Sequence, residues 1–101
     1  MSKITRLERM RFSILTNDLD HCYICGGIKH SIHEIYFGKN RVNSMKYGCC
    51  VPLCLNHHTG RDGVHYNKEL DDYLKSKCQE KFIKAYPDID FLSIFRRNYI
   101  K

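Results

Sequence analysis

A chain of 101 residues holds one small domain. A domain this short buries only about two-thirds of the surface its unfolded chain exposes, so a metal staple or a partner would stabilise it. Apolar residues at 43% and charged residues at 28% exclude a disordered chain, and the net charge of +6 at pH 7 favours a polyanionic partner without separating DNA, RNA and a membrane surface.

Residues 1–11 carry Lys3, Arg6, Arg9 and Arg11 against Glu8 and read as a basic arm or a short helix. The opening MSKITRLERMRFS is broken up by Arg and Glu, unlike the apolar stretch of a secretory signal. The expected compartment is therefore cytoplasmic, where thiols stay reduced. Phe12 and Ile14 alternate with Ser13 and Leu15 before Asn17-Asp18, which predicts a short strand. Cys22-Tyr23-Ile24-Cys25-Gly26-Gly27 forms a tight knuckle, and residues 31–37 read as a strand rich in β-branched and aromatic side chains. Gly38-Lys39-Asn40-Arg41 breaks that strand, and residues 42–47 suit one helical turn closed by Gly48.

Residues 49–53 predict a second strand, with Cys49, Val51 and Leu53 on one face and Cys50 on the other. Pro52 makes it an edge strand or an irregular one. The longest apolar run, residues 49–55, is too short to cross a bilayer, so no membrane partner is expected. Residues 57–65 read as a polar, glycine-containing loop. From Asn67 to Tyr86 the pattern is helical, with Leu70, Tyr73, Leu74, Cys78, Phe82, Ala85 and Tyr86 on one stripe and Asn67 as N-cap. Pro87 ends it, and Asp88 or Asp90 caps a short last helix carrying Phe91, Leu92, Ile94 and Phe95.

Two chelating pairs stand out, Cys22-x2-Cys25 and Cys54-x2-His57. A two-residue gap lets one tight turn present two ligands, and zinc takes four such ligands in a tetrahedron. The pairs predict a structural Zn²⁺ site, with His58 or Cys50 as rival ligands. The six cysteines accordingly read as metal ligands and buried thiols rather than disulfides, Cys49 and Cys78 being small core residues. The other histidines, His21, His30, His33, His58 and His65, exceed ordinary usage, and imidazole can hold a divalent metal with positions open for water and phosphate.

His33-Glu34-Ile35 at the end of one strand, Val51-Pro52-Leu53-Cys54 in the next, and Asn56-His57-His58 entering a loop and helix resemble the HNH endonucleases. More narrowly, the chain is similar to the short HNH proteins of phage and prophage genomes. Phe37-Gly38-Lys39-Asn40-Arg41, Tyr47-Gly48 and Val64-His65-Tyr66-Asn67-Lys68-Glu69-Leu70-Asp71 extend the likeness from about Cys22 to the chain end, more weakly after Tyr86. The resemblance implies an α+β fold: a small zinc-stapled treble clef with a ββα-metal site, a β-hairpin and a long C-terminal helix. It implies a single domain over residues 1–101, with the arm at 1–11, the zinc and ββα-metal core at 22–66 and a helical part at 67–101.

The function so implied is a metal-dependent DNA endonuclease that hydrolyses phosphodiester bonds, leaving a 5′-phosphate and a 3′-hydroxyl. In the family, the first of two adjacent residues at the strand end binds the nuclease metal and the second, usually His, is the general base. Carried over, His33 binds the metal and Glu34 is the base. His58, just after the second zinc pair, binds the same metal, and His65 completes the set. Lys39, Asn40 and Arg41 are the expected DNA contacts, and double-stranded DNA is the expected partner. The cofactors are the structural Zn²⁺ and a catalytic divalent ion such as Mg²⁺ or Mn²⁺.

Three positions depart from the family pattern. Glu34 replaces the usual His, and Gly48-Cys49 stands where the family has Asn, leaving Asn40, Asn43 and Asn56 as candidates. The spacing from His58 to His65 is also longer. A second register makes His33 the base and His30 a ligand. Rival functions are a zinc-stabilised DNA-binding or recombination accessory module without cleavage, and a zinc-stapled protein-interaction domain.

Overall fold

The computed structural model describes residues 3–100. It is a small α+β domain in which a two-stranded antiparallel sheet lies against a long helix. The order is α1 (Lys3–Arg9), β1 (Ser31–Glu34), a 3-10 turn at Gly38–Asn40, α2 (Arg41–Tyr47), β2 (Cys50–Leu53), α3 (Leu55–His58), α4 (Lys68–Ala85) and α5 (Phe91–Phe95). The basic stretch is thus helical from Lys3 to Arg9. Met1, Ser2 and Lys101 lie outside the described residues.

The strands pair with Ser31 opposite Leu53, Ile32 opposite Pro52, His33 opposite Val51 and Glu34 opposite Cys50. Side chains alternate along a strand, so Ser31 and His33 share one face with Leu53 and Val51, while Ile32 and Glu34 share the other with Pro52 and Cys50. The first face joins the core. There Val51, Leu53 and Cys49 meet Leu74, Cys78 and Phe82 of α4 and Phe91 and Phe95 of α5. Tyr36 sits among these rings, 4.5 Å from Phe95 and 5.3 Å from Phe91 between centroids, in the tilted and edge-on arrangements aromatic rings favour.

The second face is covered by the chain just after α1. Cys50 Sγ donates to Phe12 O at 3.0 Å, and Ile14 N donates to Gly48 O at 2.9 Å. This segment is not the strand its alternation predicts. Ser13 Oγ accepts from Leu15 N at 3.0 Å, and that local side-chain bond bends the backbone away from a ladder. Gly48 caps α2 in the left-handed region at φ 74°, and a Cβ there would lie 2.5 Å from the Phe12 ring, so two constraints select glycine.

Strand β1 is shorter than expected. After Ile35 N bonds Cys49 O at 2.9 Å, Ser44 Oγ takes over, accepting from Tyr36 N at 3.1 Å and donating to Tyr36 O at 2.7 Å. A side chain replaces the partner strand, and the ladder ends. The predicted loop at 57–65 begins instead inside α3, a single turn opened by Cys54. Asn67 caps α4 as expected, its Oδ1 accepting from Leu70 N at 3.1 Å. Only Leu74, Cys78, Gln79 and Phe82 of α4 are buried, whereas Tyr73 and Ala85 face solvent. The core meets α4 along one line of four-residue steps, narrower than the apolar stripe in the sequence. Asp90 caps α5. Among the described residues, no helix is long and apolar enough to cross a membrane.

Candidate metal centres

Two groups of metal-ligating side chains converge around the sheet. In the first, the Cys22 knuckle closes through Gly26 N to Cys22 O at 2.8 Å and Cys22 N to Gly27 O at 2.7 Å, with Gly26 at φ 77°. Cys54 directly follows β2, and the one-turn helix α3 that it opens brings His57 back beside it. The ligand atoms of Cys22, Cys25, Cys54 and His57 all lie within 4.8 Å of one another. Cys25 Sγ is 3.8 Å from Cys54 Sγ, and His57 Nδ1 is 3.7 Å from Cys22 Sγ and 3.2 Å from Cys54 Sγ. An edge of about 3.8 Å is what a tetrahedron with metal–sulfur bonds of about 2.3 Å requires.

Burial pushes the Cys22 thiol up, but the backbone N–H groups of Cys54, Cys25 and Ile24 outweigh it and bring the thiol down to about 6. Three sulfurs this close do not all ionise without a cation among them. The donor set therefore fits a metal ion. The rival ligands fall elsewhere: Cys50 lies on the other sheet face, and His58 belongs to the second group.

That second group is His33 from β1, His58 at the end of α3 and His65 in the loop before α4, with ligand atoms again within 4.8 Å of one another. Ring centroids are 5.4 Å apart for His33 and His58, 5.2 Å for His58 and His65, and 6.0 Å for His33 and His65. His33 is 3% exposed, and its Nε2 is buried with no hydrogen-bond partner. Such an orphan costs about 1–3 kcal/mol unless something satisfies it, and a metal does so.

Burial, together with the charges of His58, His65 and Lys75, brings His33 down to about 3. Burial, His65 and His30 also lower His58, against an opposing pull from Glu34. These two imidazoles are thus held in the neutral, ligating form near pH 7. Ser31 Oγ, on the same strand face as His33, hydrogen-bonds His58 Nδ1 at 2.7 Å. The orphaned nitrogen, the neutral rings and the convergence together fit a divalent metal.

Glu34 is not brought into this group. Adjacent strand residues face opposite sides, so the His33 ring and the Glu34 carboxylate diverge. The carboxylate is paired with Arg11, and Arg41 Nε lies 3.8 Å from its second oxygen. Arg41 also bonds Glu8 at 2.7 Å, which ties α1 to α2. Glu34 thus stands apart from the three histidines: its charge reaches His58, but its contacts are arginines.

Of the three expected DNA contacts, Lys39 is exposed. Asn40 Nδ2 donates to Phe95 O at 3.3 Å, and Arg41 is engaged as above. Asn43 Nδ2 donates to Ile94 O at 3.4 Å, and Asn56 pairs with Asp62 at 3.1 Å, so these asparagines anchor backbone and loop. His30 lies near His58, with rings 6.4 Å apart, but outside the three-histidine group. Sequence reasoning missed Ser31 and Arg11. The two-residue offset of Ser31 from His33 was a usable signal for the first, whereas nothing local announces the second. Comparison with known proteins finds no family model, no curated protein and no solved structure that matches the chain.

Proposed function

We propose that this chain is a metal-dependent DNA endonuclease of the HNH kind, a zinc-stapled treble clef bearing a ββα-metal site. In this reading Cys22, Cys25, Cys54 and His57 hold a structural Zn²⁺, and His33, His58 and His65 hold the nuclease metal. The observation that carries it is the convergence of three imidazoles from separate elements around the orphaned, buried His33 Nε2. A divalent ion there supplies charge stabilisation to the scissile phosphate. The neutral rings of His33 and His58 offer lone pairs, and the net charge of +6 draws the DNA backbone in. Three nitrogen donors favour Mn²⁺ or Ni²⁺ over Mg²⁺, which prefers oxygen.

With the one lone pair of His33 given to the metal, the proton acceptor of this reading is Glu34. Glu34 fills that role only if Arg11 and Arg41 turn to the phosphates and release its carboxylate. That pairing favours a second reading, a DNA-binding module that does not cleave.

Nicking of supercoiled plasmid by zinc-replete wild type and His58→Ala, with Mg²⁺, Mn²⁺ or Ni²⁺, separates the two. The endonuclease reading expects nicking by wild type, strongest with Mn²⁺ or Ni²⁺, and a loss of about 100-fold or more in the folded variant. Equal rates in both proteins overturn the site. Salt-dependent DNA binding without nicking under any metal leaves the accessory module.

A further inference from the structure

We propose that the three-histidine site receives an unpaired DNA strand, with Phe37 and Tyr66 as the surfaces on which its bases stack. The proposal rests on the endonuclease reading and adds the form of its substrate.

Phe37 follows β1, and its ring centroid lies 6.1 Å from that of His33 and 6.4 Å from that of His65. Half of the residue, 50%, is exposed. The ring is fixed at the site's edge from behind. Lys75 Nζ sits 4.5 Å from its centroid, and Asp71 holds that ammonium at 2.8 Å. Tyr66 follows His65 directly, its N–H bonded to Gly63 O at 3.0 Å in the turn before α4, and it is 77% exposed.

The same domain hides Tyr36, Phe82, Phe91 and Phe95 almost completely. Leaving Phe37 in water beside His33 and His65, and Tyr66 in water next to His65 along the chain, forgoes the stabilisation their burial would give. Stacking on bases recovers it, and every base has a π-face, so such surfaces are sequence-tolerant. In a B-form duplex those faces are already covered by neighbouring bases, and a protein reads edges and phosphates instead. An unpaired strand presents its faces. Exposed cations suited to its backbone follow each ring in the chain: Lys39 two residues beyond Phe37, and Lys68, which bonds Asp72 Oδ2 at 2.8 Å, two beyond Tyr66.

Fluorescence anisotropy of zinc-replete protein, without added Mg²⁺ or Mn²⁺ so that no strand is cut, tests this with a labelled oligothymidylate and a duplex of equal length at one salt concentration. Wild type is expected to bind the single strand more tightly. Tyr66→Ala and Phe37→Leu, which keeps apolar bulk but removes the π-face, should each weaken single-strand binding by about fivefold or more and leave duplex binding little changed. Duplex bound as tightly as the single strand, or single-strand binding unchanged in both variants, overturns the inference while the endonuclease reading stands. Binding of neither DNA removes both.

Discussion

Ser31 Oγ lies 2.7 Å from His58 Nδ1, a hydrogen bond from the start of β1 to the last residue of α3. It occupies one ring nitrogen of His58, holds the ring's orientation and leaves Nε2 for a metal.

Removing that bond should loosen the second metal site without unfolding the domain. Ser31→Ala is expected to weaken Mn²⁺ or Co²⁺ affinity by about tenfold, read by calorimetric titration of protein whose cysteine site is already filled with zinc. Ser31→Thr keeps the hydroxyl and should restore most of the affinity. Undiminished binding by Ser31→Ala would mean that packing alone orients His58.

The cysteine-rich group should dominate stability. Cys25 is exposed, so Cys25→Ser removes almost no packing and reports the metal alone. Structural zinc sites of this composition contribute about 10–16 kcal/mol of binding free energy in small peptides, comparable with or larger than a whole domain's stability. Cys25→Ser, or chelation of the wild type, should therefore abolish the cooperative thermal transition seen by circular dichroism. A variant that melts at the wild-type temperature would show the staple to be dispensable.

The Glu34 clamp is a stability element whatever its catalytic role. The Arg11 and Glu34 side chains are 21% and 14% exposed, so removing one leaves the other poorly hydrated. Arg11→Ala should cost about 1–3 kcal/mol in urea denaturation. Glu34→Gln should cost less when added to Arg11→Ala than when made alone. Additive losses in that cycle would show that the two side chains do not interact energetically.

Alkaline pH should destabilise the fold through Tyr36. Burial, then the nearby Cys78 and Cys49, push its phenol up from 10.0, and its hydroxyl donates to Lys75 O. Above its ordinary value the unfolded chain loses the proton and the folded one keeps it. The unfolded state then binds fewer protons, so stability falls as pH rises, by about 1.4 kcal/mol per pH unit for this group. Below pH 10 the penalty is absent. Tyr36→Phe should flatten the fall above pH 10 while losing the bond to Lys75, and chemical denaturation across that range would measure both. An unchanged slope in the variant would assign the alkaline transition to other groups, such as the buried thiol of Cys50, raised to about 12 by burial.

What the sequence determined by itself is local. Cys22-x2-Cys25 and Cys54-x2-His57 announce two chelating turns, Asn67 announces the start of α4, and Gly48 announces the end of α2. Each follows from ring closure, capping or a left-handed residue acting within a few positions. That His33, His58 and His65 meet is not local: β1, the end of α3 and the loop before α4 bring their ligand atoms within 4.8 Å of one another. Tertiary structure alone decided that Glu34 faces Arg11, because alternation along β1 turns it away from His33 and the segment after α1 covers that second face. It likewise made residues 12–15 a bent cover rather than a strand and left Tyr73 and Ala85 in solvent. Periodicity states which side chains share a side, whereas the charges and surfaces they meet are set by packing between segments distant in the chain.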